Sequence, residues 1–154
     1  MTRWVARGAF VVVAWLLSST SVFAQAASCT ISVTSVAFGN YNVFATTPAD
    51  STGTITYRCS SSPFLIWITL SDGSSSTFNP RTLRRGSETL TYNLYRDATR
   101  ATIWGDGTGG TSAYTRFFPP SNQNVSVPIY GRIPAQQDVS AGNYTDTVSA
   151  VINF

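Results

Sequence analysis

The chain of 154 residues contains no histidine, and its ten basic residues are all arginine. Histidine is the commonest general base and metal ligand, so its absence excludes Ser-His-Asp catalysis, Cys-His catalysis and histidine-containing metal sites within this chain. The two cysteines are too few for a zinc site built from cysteine alone. Charged residues make up only 11% of the chain and aromatic residues 13%, which is unlike the composition of a disordered protein. The length is that of one domain.

The N-terminal segment has the parts of a secretory signal peptide. Arg3 and Arg7 give a positive start, an apolar run covers residues 9–17, and a V-F-A motif ends at Ala24. This order predicts cleavage after Ala24, with a site after Ala26 as the alternative. A membrane anchor is the competing interpretation, but nine apolar residues fall far short of the roughly 20 that span a bilayer. Residues 1–24 are therefore predicted to be a signal peptide and residues 25–154 the domain.

The secreted part carries eight arginines against seven acidic residues, a formal charge of +1. Nucleic-acid binding needs a basic stripe. The nearest candidate is the group Arg81, Arg84 and Arg85, which the surrounding turn signals predict to be a solvated turn. We therefore predict no nucleic-acid partner.

Secretion places the chain in an oxidising compartment, where Cys29 and Cys59 are predicted to form one disulfide. The chain-entropy model assigns roughly 3–4 kcal/mol to a bond that closes a loop of about 30 residues. A pair of free structural thiols is the alternative.

The pattern of the secreted part is all-β. Turn signals such as Gly39-Asn40 and Asp72-Gly73 recur at short intervals, and apolar residues alternate with polar ones between them. No stretch has a helical period. Both cysteines lie on the apolar face of their runs, where a core disulfide would need them. Several short strands with this punctuation predict a β-sandwich.

The last alternating run, residues 144–154, is the most informative pattern. An apolar strand with no further element to cover it indicates an open sheet edge, and the alternative is a terminal strand at the centre of its sheet. One face of the run carries Tyr144, Asp146, Val148, Ala150, Ile152 and Phe154.

Several segments, in this order, resemble the spore coat protein U domain, a family that includes the subunits of archaic (Csu-like) chaperone–usher pili. The resemblance extends over essentially all of residues 25–154. The segments are C-T-I at 29–31, V-A-F-G-N-Y at 36–41, the second cysteine, Y-N-L-Y-R-D at 92–97, V-P-I-Y-G-R-I at 127–133, and G-N-Y-T-D-T-V at 142–148 leading to a terminal aromatic.

The resemblance implies an immunoglobulin-like sandwich that lacks its last strand. In such a family a periplasmic chaperone supplies the missing strand first, and a neighbouring pilin subunit supplies it after passage through the outer-membrane usher. The implied location is the cell surface, in a pilus or coat that serves adhesion and biofilm formation. The residues expected to contact the chaperone or donor strand are Tyr144, Val148, Ala150, Ile152 and Phe154.

One departure from the family concerns the donor segment that polymerising pilins carry before the first cysteine. Cleavage after Ala24 leaves only residues 25–28 there, which span at most about 14 Å and include no large apolar side chain. The chain is therefore expected to receive a strand but not to donate one, which fits a tip subunit, a terminating subunit or a coat protein that does not polymerise. Archaic tip subunits usually carry two such domains, whereas this chain has one. The alternative function is a self-contained secreted binding module resembling an adhesin.

Aromatic residues in a turn-rich region form a candidate surface-binding loop, made of Trp104, Phe117 and Phe118. Exposed aromatic side chains there would suit attachment to apolar surfaces. The pattern favours the alternative, in which Phe117 or Phe118 is a core residue of a strand. The glycine-rich loop at 105–110 lacks the Lys-Ser/Thr of a phosphate loop and the repeated acidic ligands of a calcium loop.

An enzymatic function is not predicted. The acidic residues are scattered singly, and most of them lie at turn signals, so turn formation or pairing with arginine explains each of them. We expect no catalytic residues, no cofactor, no metal and no small-molecule substrate.

Overall fold

The structure, a computed structural model, describes residues 26–154. The predicted signal peptide, residues 1–24, lies outside the described residues. Eight strands form a five-stranded sheet, in the order β1-β2-β7-β5-β4, and a three-stranded sheet, in the order β6-β3-β8. The strands are β1 Cys29–Thr34, β2 Ala49–Cys59, β3 Leu65–Leu70, β4 Arg81–Arg85, β5 Glu88–Tyr95, β6 Tyr114–Phe117, β7 Val125–Ile133 and β8 Ala150–Asn153.

The all-β prediction is confirmed. Within residues 26–154 the only helical element is a single 3-10 turn at Gly73–Ser75, and no helix there is long and apolar enough to cross a membrane. Alternation along the strands turns one face of each sheet inward. The two inward faces form the core, whose buried members are Ile55, Tyr57, Cys59, Ile66, Ile68, Leu70, Leu90, Tyr92, Leu94, Trp104, Val127, Ile129 and Ile133.

The predicted disulfide is confirmed. Strands β1 and β2 are antiparallel, and their register places Cys29 directly opposite Cys59. The two sulfur atoms are bonded, which excludes the alternative of free thiols. Cys59 is fully buried, so the bond ties the edge strand β1 to the core.

After β1 the chain crosses the inner face of the five-stranded sheet. We call residues 35–41 the crossing segment. It lies so close to β2 and β7 that these strands carry glycine beneath it. A Cβ on Gly53 would lie 2.9 Å from Val36 Cγ2, and one on Gly131 would lie 2.6 Å from Val36 Cγ1. The ring of Phe38 then meets Tyr92 edge-to-face at 5.9 Å.

The last strand is shorter than the alternating run that predicted it. Strand β8 covers only Ala150–Asn153, and it is an edge strand, so the alternative of a central terminal strand is wrong. Residues 144–149 are extended but pair with a strand at one point only, where Thr145 and Arg84 exchange two backbone hydrogen bonds of 2.8 and 3.1 Å.

The three clustered arginines do not form a solvated turn, so that prediction is wrong. Arg81, Arg84 and Arg85 lie on strand β4, and Arg81 has no exposed surface. Its guanidinium donates hydrogen bonds to the carbonyl oxygens of Ser71 and Trp104 and to Asn93 Oδ1, at 2.7 to 3.0 Å. These buried acceptors explain why a cation can lie inside the sandwich.

Candidate functional site

A groove opens between the crossing segment and the stretch that leads into β8. We call residues 139–149 the rim segment. The groove has a wide part of about 840 Å³ and a narrow part of about 310 Å³, which share Val36, Phe38, Leu83 and Asp146 in their linings. The apolar lining of the wide part includes Tyr41, Phe44, Leu90, Ile133, Val139 and Tyr144, and that of the narrow part includes Val33, Leu70, Leu94, Ile129, Val148 and Ala150.

The two walls of the groove run antiparallel. Residues 36–44 face residues 139–146 across the wide part. Residues 33–38 face residues 146–150 across the narrow part. Residue numbers therefore rise along one wall in the direction in which they fall along the other. The two parts share lining residues and form one continuous groove.

Backbone groups along both walls lack backbone partners within the described part of the chain. The crossing segment makes no backbone-to-backbone hydrogen bond with the described residues. One of its backbone groups, the Ala37 carbonyl oxygen, accepts a hydrogen bond from a side chain, the hydroxyl of Ser51. In the rim segment, residues 146–148 likewise make no backbone-to-backbone hydrogen bond with residues 26–154. The backbone groups of the two walls that have no partner can pair with a strand placed between the walls.

The rim segment is held in place by the carboxylate of Asp146. Ser74 donates to Asp146 Oδ1 through its backbone nitrogen at 2.9 Å and through its hydroxyl at 2.5 Å, and the Tyr92 hydroxyl donates to Oδ2 at 2.6 Å. Gly73, which has φ +67°, lies so close to this carboxylate that a Cβ there would collide with it. These bonds join the rim segment to β5 and to the 3-10 turn.

The same contacts change the acidity of both partners. Burial acts to raise the pKa of the Asp146 carboxyl, but the hydrogen bonds from Ser74 and Tyr92 outweigh burial and lower its pKa. Burial raises the pKa of the Tyr92 hydroxyl, and its hydrogen bond to Asp146 raises that pKa further. The pair is therefore a neutral phenol that donates to an ionised carboxylate.

A second anchor holds the wide end of the rim segment. Ser140 Oγ donates to Glu88 Oε1 at 2.6 Å, and the Tyr144 hydroxyl donates to Glu88 Oε2 at 2.5 Å. These two hydrogen bonds, in that order of importance, lower the pKa of the Glu88 carboxyl. Glu88 begins strand β5, so this anchor and that of Asp146 both attach the rim segment to the same strand.

Only some of the residues that were predicted to contact a chaperone or donor strand line the groove. Tyr144, Val148 and Ala150 line the groove. Ile152 is partly buried against the core, and Phe154 is half exposed and outside the groove lining. Whether these residues contact a chaperone or donor strand stays a prediction.

The sequence reasoning missed the opposite wall. It used V-A-F-G-N-Y at 36–41 only as a sign of the family, whereas the groove is lined by Val36, Phe38 and Tyr41 from that segment. The glycines at 53 and 131, within otherwise regular strands, were the available signal for a close backbone crossing.

Trp104 does not belong to an exposed loop, so it is removed from the candidate surface-binding residues. Its side chain is fully buried, and its indole Nε1 donates to the Ile68 carbonyl oxygen at 2.9 Å. Its ring packs at 6.2 Å from that of Tyr114 on β6, and its backbone nitrogen donates to the Leu94 carbonyl oxygen on β5, so the tryptophan contacts both sheets.

Phe117 and Phe118 are exposed, at 59% and 65%, so the expectation that one of them is a core residue is wrong. Phe64, which is 67% exposed, meets both rings edge-to-face, with centroids 5.5 and 5.3 Å away. We call these three residues the aromatic cluster. Phe118 has φ +46°, a left-handed conformation that is strained for a bulky side chain.

The acidic residues serve structural contacts. Asp50 accepts two hydrogen bonds from Arg132, at 2.7 and 2.8 Å, and Asp106 accepts hydrogen bonds from the backbone nitrogen and hydroxyl of Thr108 within the glycine-rich loop. Among residues 26–154, no group of three or more potential ligands could hold a metal ion.

An all-β sandwich with an open groove along one side is the structural class that these observations define. The chain belongs to the Spore Coat Protein U domain family, whose model matches residues 16–151, and the resemblance seen in the sequence is thereby confirmed. The family is one of structural coat and pilin proteins, not of enzymes.

The proteins that resemble this chain include one from Myxococcus xanthus and one from Acinetobacter baumannii. Protein U of Myxococcus xanthus is 37% identical over 84 residues, which are 53% of this chain and 45% of that protein. The crystal structure of the CsuC–CsuE complex of chaperone and tip adhesion subunit, from the archaic chaperone–usher Csu pili of Acinetobacter baumannii, matches with a TM-score of 0.61 at 22% identity. That match covers 84% of this chain and 40% of the other chain and shows a shared fold. This chain therefore covers less than half the length of each of the two proteins that it matches.

Proposed function

We propose that this chain is a secreted structural subunit of a pilus or surface coat, and that a strand from another protein completes its sandwich. The observation that carries the proposal is the groove, whose two antiparallel walls leave backbone groups without backbone partners within residues 26–154. A strand inserted there would pair with both walls and cover the apolar lining between them. The family, which is named for a spore coat protein, supports a place on the cell surface.

The energetic gain from such a strand is large. If four or five apolar side chains of the strand are buried at about 1.5–3 kcal/mol each, the gross gain is roughly 6–15 kcal/mol. This range is comparable to the whole stability of an ordinary domain. The inserted strand is then part of the fold rather than an accessory to it.

The partners follow from this arrangement. A periplasmic chaperone would fill the groove first, and a neighbouring subunit would replace it after passage through an outer-membrane usher. Support comes from the related fold that was crystallised as a complex of a chaperone with a tip adhesion subunit.

The role within the assembly is that of an acceptor. It rests on predicted cleavage after Ala24, which leaves only residues 25–28 before Cys29 as a donor. Deleting these four residues is expected to leave incorporation into the surface structure unchanged. Mass spectrometry of the mature N-terminus checks the cleavage site itself, and loss of incorporation on deletion would contradict the acceptor role.

Two variants on neighbouring residues test the groove. Val148 lines it, whereas Val151 on β8 is 50% exposed and lies outside the groove lining. Val148→Asp places a charge against the inserted strand and is expected to reduce co-purification with the chaperone at least tenfold. Val151→Asp is the matched control and is expected to retain it.

Equal co-purification of both variants would contradict the proposal. A chain that never binds a chaperone and needs no strand would instead be the self-contained binding module.

A second candidate function, attachment to apolar surfaces, is favoured by the exposure of the aromatic cluster. The strained backbone of Phe118 supports it, because such strain is concentrated at functional sites. Replacing both Phe117 and Phe118 with Ser is expected to abolish attachment of the folded chain to polystyrene, while stability changes by less than about 1 kcal/mol.

The matched control for attachment is Phe44→Ser, since Phe44 is 86% exposed but is not part of the cluster. Unchanged attachment of the double variant, or equal loss in the control, would remove the cluster from consideration.

A further inference from the structure

The groove is lined by a carboxylate that forms no ion pair with any of residues 26–154. Asp146 lines both the wide and the narrow part. The ion pairs of the described residues join Arg85 to Glu88, and Arg100 and Arg132 to Asp50, so none of them includes Asp146. The buried guanidinium of Arg81 donates its hydrogen bonds to the oxygen atoms of Ser71, Asn93 and Trp104, and it attracts the charge of Asp146 only from beyond ion-pair distance.

The two carboxylate oxygen atoms of Asp146 differ in the number of hydrogen bonds that they receive. Asp146 Oδ1 receives three hydrogen bonds, from the backbone nitrogen and hydroxyl of Ser74 and from the backbone nitrogen of Thr147. Oδ2 receives one, from the Tyr92 hydroxyl. A cation near Oδ2 would be attracted by the negative charge of the carboxylate and would not need a further hydrogen bond. The lowered pKa of this carboxyl keeps it ionised at neutral pH.

We propose that the strand received by the groove presents a cationic side chain to Asp146, with a bulkier apolar residue on the side of the wide part and a smaller one on the side of the narrow part. This inference rests on the proposed function, in which the groove receives a strand. The order of sizes follows from the two volumes, about 840 and 310 Å³, on either side of Asp146.

The cation would determine the register of the strand. Successive side chains of a strand point to opposite faces, so a slip of one residue turns the cation away from the groove. A slip of two residues places it against an apolar part of the wall, where an unpaired charge is costly. Apolar side chains supply most of the affinity, and the charged pair selects one alignment among several.

Synthetic peptides of 11 residues test the inference by displacing the chaperone from its soluble complex with the full mature chain. Each alternates apolar residues with serine, with Phe toward one end and Val toward the other, and is made in both chain directions. The central inward residue is Lys, Gln or Glu. Fluorescence anisotropy is expected to show the Lys peptide binding about tenfold more tightly than the Gln peptide, and the Glu peptide about tenfold more weakly. Moving Lys by two positions is expected to remove its advantage.

The variant Asp146→Asn provides the matched control. The preference for Lys over Gln is expected to disappear in it, while the Gln peptide keeps its affinity within about twofold. If this variant does not fold, the peptide series on the native chain decides by itself. Equal binding of the Lys, Gln and Glu peptides would overturn the inference but leave the strand-acceptor function standing, with Asp146 acting only as an anchor of the rim segment. Failure of every peptide to bind would contradict the acceptor function itself.

Discussion

At the scale of single residues, the least expected feature is the buried cation. Arg81 lies inside the sandwich with no carboxylate within ion-pair distance in the described part of the chain. Burial lowers the pKa of its guanidinium, and the oxygen atoms of Ser71, Trp104 and Asn93 compensate for the lost water. These acceptors come from three separate parts of the chain, so Arg81 joins β4 to β5 and to the loops beside them.

Replacing Arg81 with Leu is expected to destabilise the fold by about 3 kcal/mol or more, because buried oxygen acceptors then lose their donor. Urea titration of the soluble complexes with the chaperone measures the loss. Arg58→Leu is the matched control, since Arg58 is exposed on β2, and its effect is expected within about 0.5 kcal/mol. Similar losses for the two variants would show that the buried hydrogen bonds contribute little.

At the scale of elements, strand β1 and the crossing segment depend on a few specific attachments. Strand β1 is an edge strand that pairs only with β2 among the described strands. The crossing segment that follows is seated over Gly53 and Gly131. The disulfide at the start of β1 therefore restrains the element that leads into one wall of the groove.

Replacing both Cys29 and Cys59 with Ser is expected to lower the free energy of unfolding by roughly 3–4 kcal/mol, because the unfolded chain regains the freedom of the closed loop. Chemical denaturation of the soluble complex with the chaperone measures the change. The wild-type chain in reductant is the control and is expected to lose the same amount. A double variant as stable as the oxidised wild type would mean that pairing with β2 alone holds β1.

At the scale of the whole molecule, the two sheets do not enclose their core on every side. The groove exposes apolar side chains along both walls, and exposed large side chains also occur at the aromatic cluster. Contiguous apolar surface of this kind favours association with another protein or aggregation.

The isolated mature chain is accordingly expected to aggregate or to melt without cooperativity, whereas co-expression with its chaperone yields a soluble complex. Size-exclusion chromatography and a thermal melt of both preparations measure this difference. The control is the chaperone expressed alone. A monodisperse, cooperatively melting monomer obtained without any partner would contradict the open-sandwich interpretation.

The sequence predicted the strands well and the candidate site only in part. Alternation locates strands because it is a local property, and the two cysteines could pair only with each other. Exposure depends on what packs against a residue from elsewhere in the chain. Trp104 was therefore expected in an exposed loop although it is buried, and the pattern favoured a core position for Phe117 or Phe118 although both are exposed. The role of Asp146 was equally inaccessible, since its partners Ser74 and Tyr92 are distant in the chain.

What the sequence determined by itself is the chemistry of the chain: an all-β protein of low charge, with one disulfide and without histidine. These properties follow from the residue types and from the alternation of apolar and polar residues along each strand. The tertiary structure alone decided that the crossing segment faces the rim segment and that a groove remains between them. The physical reason is that a groove forms where segments far apart in sequence lie near each other without packing together. The local pattern of residue types does not show where this happens.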